Sequence, residues 1–192
     1  MSKADPASHK KERNKAIRWV IIIFFSTILI SGTISLISEE IMATSGMGVA
    51  FVILLAIVLV GILFDIVGVA VTSADEKPFH SMAARKVPGA RQAISLLRNA
   101  ERVSSICNDV VGDICGVVSG SASATIAAQI LTHFDFSWPR IVSLVMSALV
   151  AGLTVGGKAI GKTFAINCST QIVHFVGKVL HFFSRIFRKK TK

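Results

Sequence analysis

Four apolar stretches punctuate the chain, at residues 19–37, 47–73, 106–131 and 141–157, and short polar or charged segments separate them. Each approaches or exceeds the length of about 17 residues that lets a helix cross a hydrocarbon core roughly 30 Å thick. A helix satisfies its own backbone hydrogen bonds, which is the condition for lying in lipid. The pattern therefore predicts an all-α integral membrane protein with about four transmembrane helices. Residues 1–18 form a basic tail, 19–157 the transmembrane domain, and 158–192 a basic amphipathic C-terminal segment. The first stretch follows basic residues as a signal peptide does, but it is longer than such a core. Ser38-Glu39-Glu40 after it lacks a small-x-small cleavage site, so the helix is expected to stay.

Two further segments have helical periodicity without enough apolar length to cross. Residues 78–103 are expected to form an interfacial helix pair broken at Val87-Pro88-Gly89, with Ile94, Leu97 and Ala100 opposite Arg91, Arg98 and Glu101. In 172–188, Ile172, Val176, Val179, Phe183 and Ile186 share a face opposed by His174, Lys178, His181 and Arg185. Such a helix suits either anionic lipid or a protein surface, and the pattern alone does not choose between them. His80 and His133 are expected at the interface, and His174 and His181 toward lipid. Disorder is expected only in residues 1–15 and at the last few positions.

The charge distribution orients the helices. The formal net charge is +10, with 21 Lys and Arg against 11 Asp and Glu. Six basic residues lie in the N-terminal tail, six in residues 74–105 and eight from Lys158 onward, leaving only Arg140. Short cytoplasmic loops carry such an excess, so both termini are expected in the cytoplasm of a multi-pass cell-membrane protein. The outer loops are then 38–46 and 132–140, carrying Glu39, Glu40 and Asp135. No nucleic-acid-binding motif accompanies the basic residues, so nucleic acid is not an expected partner. Cys107, Cys115 and Cys168 lack metal-finger spacing, and their odd number argues against a disulfide framework. No nucleophile-elbow or metalloprotease motif occurs, so enzymatic activity is not expected.

Three carboxylates interrupt the apolar stretches: Asp65 in the second, and Asp109 and Asp113, one turn apart, in the third. A charge at membrane depth costs about 2.5–3.5 kcal/mol on insertion scales, so such groups usually face a protein interior or water and take part in function. Asp109 and Asp113 share a helical face with Gly116 and Gly120, beside Asn108 and Gly112, and the run continues into Ser119, Ser121, Ser123 and Thr125. The second stretch has a matching stripe of Gly61, Asp65, Gly68, Thr72 and Asp75. Carboxylate, amide, hydroxyl and backbone oxygens are the hard ligands that Mg2+ prefers, and this ion tends to keep several waters. The candidate metal ligands are Asp65, Asn108, Asp109 and Asp113. The same stripes also serve as packing surfaces, and Asp65 or Asp113 has a structural alternative in pairing with Lys158 or Lys162.

Residues 47–157 resemble the transmembrane domain of the CNNM/CorC (cyclin M-like) magnesium transporter family. The resemblance rests on Phe64-Asp65-Ile66-Val67-Gly68-Val69-Ala70-Val71-Thr72-Ser73, the basic loop, Asn99-Ala100-Glu101-Arg102, and Cys107-Asn108-Asp109. It implies a homodimer that transports Mg2+, with Asn108 at the family's Asn position. It departs where the family's Ser-Gly-Ser-Glu would stand: here Asp65-Ile66-Val67-Gly68 moves the acid by about a turn, and Asp109 and Asp113 supply carboxylates instead. The first helix lies outside the resemblance. The paired CBS domains of family members are lacking, which implies no nucleotide control. The rival expectation is a non-transporting scaffold or accessory subunit whose intramembrane acids are structural.

Overall fold

The computed structural model describes residues 6–133 and 138–189, and these residues are helical apart from short turns. Helix α1 (Pro6–Thr44) leads through a two-residue turn to α2 (Met47–Ser73). Short helices α3 (Lys77–Ala84) and α4 (Ala90–Arg98) follow, and α5 (Ala100–Ser105) runs into a π-helical segment, Ile106–Gly112. The same rod continues as α6 (Asp113–His133); α7 (Pro139–Asn167) and α8 (Ser169–Lys189) complete the chain. Four helical stretches are long and apolar enough to cross a membrane: Ile17–Met42, Met47–Ser73, Ala100–His133 and Pro139–Asn167.

The second span has the bounds expected from the sequence, because Gly46 precedes it and charged, Pro-containing sequence follows. The other three run longer. The apolar pattern ends the first at residue 37, yet α1 continues to Thr44, since Glu39 and Glu40 are charged but do not break a helix. The pattern starts the third at 106, but the break falls at Asn99, so the end of the expected interfacial pair is the first turn of the span. The fourth passes through Lys158 and Lys162 to Asn167, taking ten residues from the expected C-terminal segment. Long aliphatic lysine stems lie along apolar neighbours without disturbing the backbone. The tail expected to lack structure enters α1 at Pro6; residues 1–5, Asp135 and residues 190–192 lie outside the described residues.

Helices α2 and α6 form the centre of the bundle and run antiparallel. Leu54 and Val58 of α2 share a buried cluster with Ala122 and Ile126 of α6, together with Met42 and Val150. Further along, a Cβ at Gly61 would stand 2.9 Å from that of Cys115, so the backbones approach as small residues permit. Helix α7 runs parallel to α2, with Gly161 against Ile66. Helix α1 packs along α6 through a stripe of partly or fully buried residues, Ile23, Thr27, Ser31, Ser35, Ser38 and Met42. Gln129 Nε2 donates to the Met42 carbonyl at 2.7 Å. That carbonyl is among the last four of α1, which have no partner within their own helix.

A second buried cluster, Ala70, Val71, Phe79, Ala93, Ala165 and Val173, closes the basic end of the bundle. It ties the ends of α2 and α7 to α3, α4 and α8. The expected break at Val87-Pro88-Gly89 is present: Gly89 has φ 87°, a left-handed conformation that glycine adopts without strain. A Cβ at Gly177 would lie 2.6 Å from the Gly89 carbonyl oxygen, so α8 crosses the start of α4 backbone to backbone. One side of α8 thus packs on the protein's own loop. His181 Nδ1 lies 3.1 Å from Gln92 Nε2 of α4, and the Nε2 atom of His174 is buried, so neither histidine takes the expected lipid-facing position. The opposite side leaves Phe175, Phe182, Phe183 and Ile186 exposed.

Candidate functional site

Asp65 sits past the middle of α2, one turn before Gly68, and is only 4% exposed. Of the polar stripe expected on this helix, Gly61, Asp65 and Gly68 turn inward while Thr72 and Asp75, the latter beyond the helix end, are exposed. The nearest cation to the carboxylate is Lys162 of α7, whose Nζ is 4.0 Å from Asp65 Oδ2. That separation exceeds a hydrogen bond. Asp65 Oδ2 is buried and has no hydrogen-bond partner.

Asn108 approaches from the π-helical segment. Its side chain fills the space where Gly68 would carry a Cβ, so the glycine is required by close approach. Asn108 Nδ2 donates to Ser104 Oγ at 3.2 Å, while Oδ1 is buried and unpartnered. The structure therefore places two orphaned acceptor oxygens, Asp65 Oδ2 and Asn108 Oδ1, on residues that flank one notch in α2. Burying an acceptor without a donor costs about 1–3 kcal/mol, so such atoms call for a ligand, water or a mobile donor.

The π-helical segment changes what α6 presents. Its extra residue per turn shifts the helical phase, and such insertions frequently occur at functional sites. Cys107 and Gly112 face inward from this segment, as do Ile114, Val118 and Ser119 from α6. Asp109 and Asp113 do share a face, as expected, but it is the exposed face, with Ile106 and Val117. Asn108 packs at Gly68, one turn from Asp65 along α2, whereas Asp109 and Asp113 lie on the exposed face. This orientation buries the small and apolar side of the helix and leaves the two carboxylates on its outer face.

The hydroxyls expected to line a cavity are also engaged elsewhere. Ser119 donates to Gly116 O at 3.0 Å and Ser123 to Gly120 O at 2.8 Å, both within α6. In their place the structure supplies Lys158, whose Nζ is 3.5 Å from the Gly112 carbonyl oxygen. The polar centre thus comprises Asp65, Asn108, the Gly112 carbonyl and two lysines one turn apart on α7, Lys158 partly buried and Lys162 exposed. Sequence reasoning considered these lysines only as partners for the acids. The signal that could have placed them at the centre was their i, i+4 spacing beside Gly157 and Gly161.

Among the described residues, no group of three or more His, Cys, Asp and Glu side chains is placed to hold a metal ion. One carboxylate, one amide oxygen and nearby carbonyls form a small hard-oxygen donor set, which suits an ion that keeps much of its water. An apolar groove of about 320 Å³ between α2 and α7, lined by residues such as Phe51, Leu55, Met146 and Leu153, offers no polar group to an ion. Comparison with family models, curated proteins and solved structures gives no match.

Proposed function

We propose that the chain is a multi-pass membrane protein that binds and moves a divalent cation, Mg2+ in the first instance, at the crossing of α2, the π-helical segment and α7. The observation that carries this reading is the pair of buried, unpartnered oxygens, Asp65 Oδ2 and Asn108 Oδ1. Intramembrane carboxylates are costly and mark ion pathways. A π-helical segment at the same place supports the reading, because an interrupted hydrogen-bond ladder frees carbonyl oxygens for coordination. The resemblance to CNNM/CorC proteins supplies the choice of Mg2+. Asp65 and Asn108 are the ligands in this reading, and Asp109 and Asp113 stand outside the set.

The wider arrangement belongs to the same proposal. The excess of Lys and Arg puts both termini in the cytoplasm of a cell-membrane protein and favours contact with anionic lipid. A homodimer formed across the exposed face of α6 gives Asp109 and Asp113 a protein or water environment at membrane depth. Purified protein in detergent is expected to gain thermal stability on adding MgCl2. Asp65→Asn and Asn108→Ala are expected to lose that gain, while Asp109→Asn keeps it. Full Mg2+ stabilisation in both ligand variants would remove the site.

A second reading has its own observation. Lys162 faces Asp65, so the pair can serve as a structural tie between α2 and α7 in a scaffold or accessory subunit. That reading requires no ion. It predicts that Asp65→Asn with Lys162→Gln restores the stability lost by either change alone, with no Mg2+ effect in any variant.

A further inference from the structure

We propose that Lys158 and Lys162 are tethered competitors of the transported cation: their ammonium groups stand beside the oxygens it needs and must move away before it binds. This rests on the cation-binding reading above and names how the site would be regulated.

Three observations carry it. The acceptors these lysines approach are a carboxylate oxygen of Asp65 and the Gly112 carbonyl at the end of the π-helical segment. Both are hard oxygens of the kind that Mg2+ takes. Neither contact is tight: 4.0 Å at Asp65 lies outside hydrogen-bond range, and 3.5 Å at Gly112 is at its limit. A purely structural tie at a buried carboxylate needs excellent geometry and satisfied lone pairs, whereas here Asp65 Oδ2 accepts nothing. Finally, the Lys162 side chain is 54% exposed. Its stem can swing the charge away from Asp65 toward the basic end while α7 stays packed through Gly161 against Ile66.

The charge balance sets the direction of the effect. Asp65 contributes one negative charge, and the two lysines more than offset it. A dication entering beside them meets net repulsion, which falls when an ammonium leaves. When the ion departs, the ammonium returns, so the carboxylate is never left as an uncompensated buried charge. Lysine and metal are therefore mutually exclusive ligands, and coupling of this kind is reciprocal.

The first test is Mg2+ affinity of the full-length protein in detergent, by titration with MgCl2. Lys162→Gln is expected to bind Mg2+ roughly tenfold more tightly than wild type, within the usual range of coupling between exclusive ligands. Lys162→Arg, which keeps the charge, is expected to stay near the wild-type value. A scaffold role moves stability but does not tighten binding. If wild type binds Mg2+ and Lys162→Gln binds no better, the competition is overturned while the cation site stands. If neither protein binds Mg2+, both proposals fall. The second test needs no variant: saturating Mg2+ is expected to increase acylation of Lys162 in the wild-type protein by a water-soluble amine reagent. Unchanged labelling in protein that binds Mg2+ would also overturn the competition.

Discussion

At the scale of single residues, the site depends on Gly68 as much as on any charged group. Its missing side chain is the space that the Asn108 amide occupies. Gly68→Ala gains helix propensity worth up to about 1 kcal/mol, yet displaces Asn108 from a packed position, a change that typically costs about 1–3 kcal/mol. The expected outcome is a protein of equal or lower thermal stability in detergent whose Mg2+-dependent stabilisation is reduced, as in Asn108→Ala. Unaltered Mg2+ stabilisation would separate Asn108 from the site. The sequence made Asp65 and Asn108 legible because a carboxylate and an amide stand out in apolar helices. It did not separate them from Asp109 and Asp113, since a regular helix puts Asn108 and Asp109 on adjacent faces. The inserted π turn decides which face meets α2, and no residue type announces that turn. Ser119 and Ser123 place their hydroxyl hydrogens on carbonyls one turn back, a satisfaction within the helix that their residue type alone does not reveal.

At the scale of elements, spans were legible wherever a backbone breaker bounded them. Gly46 and Pro78 frame α2 and its loop, and Gly89 marks the turn before α4. Charged residues were poorer markers: Glu39 and Glu40 stay within α1, and Lys158 and Lys162 within α7. Side-chain polarity limits where a helix sits in a bilayer, whereas Pro, Gly and capping limit where it ends. The amphipathic α8 was legible as a helix but not in its docking, because the choice between lipid and protein depends on Gly89 and Gly177 meeting across elements. Gly89→Ala would force a side chain into a left-handed conformation, and its Cβ would meet Lys178 N at 2.6 Å. Strain of this kind costs about 1–3 kcal/mol. The expected result is faster amide hydrogen exchange in α4 and α8 with little change in α6. Unchanged exchange in α8 would show that the crossing does not hold it.

At the scale of the whole molecule, two clusters divide the work. Met42, Leu54, Val58, Ala122, Ile126 and Val150 hold one half of the bundle by apolar contacts, with the Gln129 hydrogen bond to the Met42 carbonyl beside them. The other half combines the polar centre with a cap formed by α3, α4 and α8 around Phe79 and Val173. Asp65 lies between these regions, where α2, α7 and the π-helical segment meet, so movement of the cap relative to α7 bears on the lysine contacts. The overall helical plan followed from the hydrophobic pattern; the inward phase of each helix depended on close contacts that only the folded chain reveals. The central claim is that Asp65 holds a cation on its way across the membrane. Its most direct test is Mg2+ flux into liposomes containing purified wild-type or Asp65→Asn protein at matched incorporation. Wild-type protein is expected to show flux and Asp65→Asn a loss of about tenfold or more, as follows when a ligand that stabilises the ion by over about 1.4 kcal/mol is removed. No flux with wild type, or equal flux with both proteins, would contradict that claim.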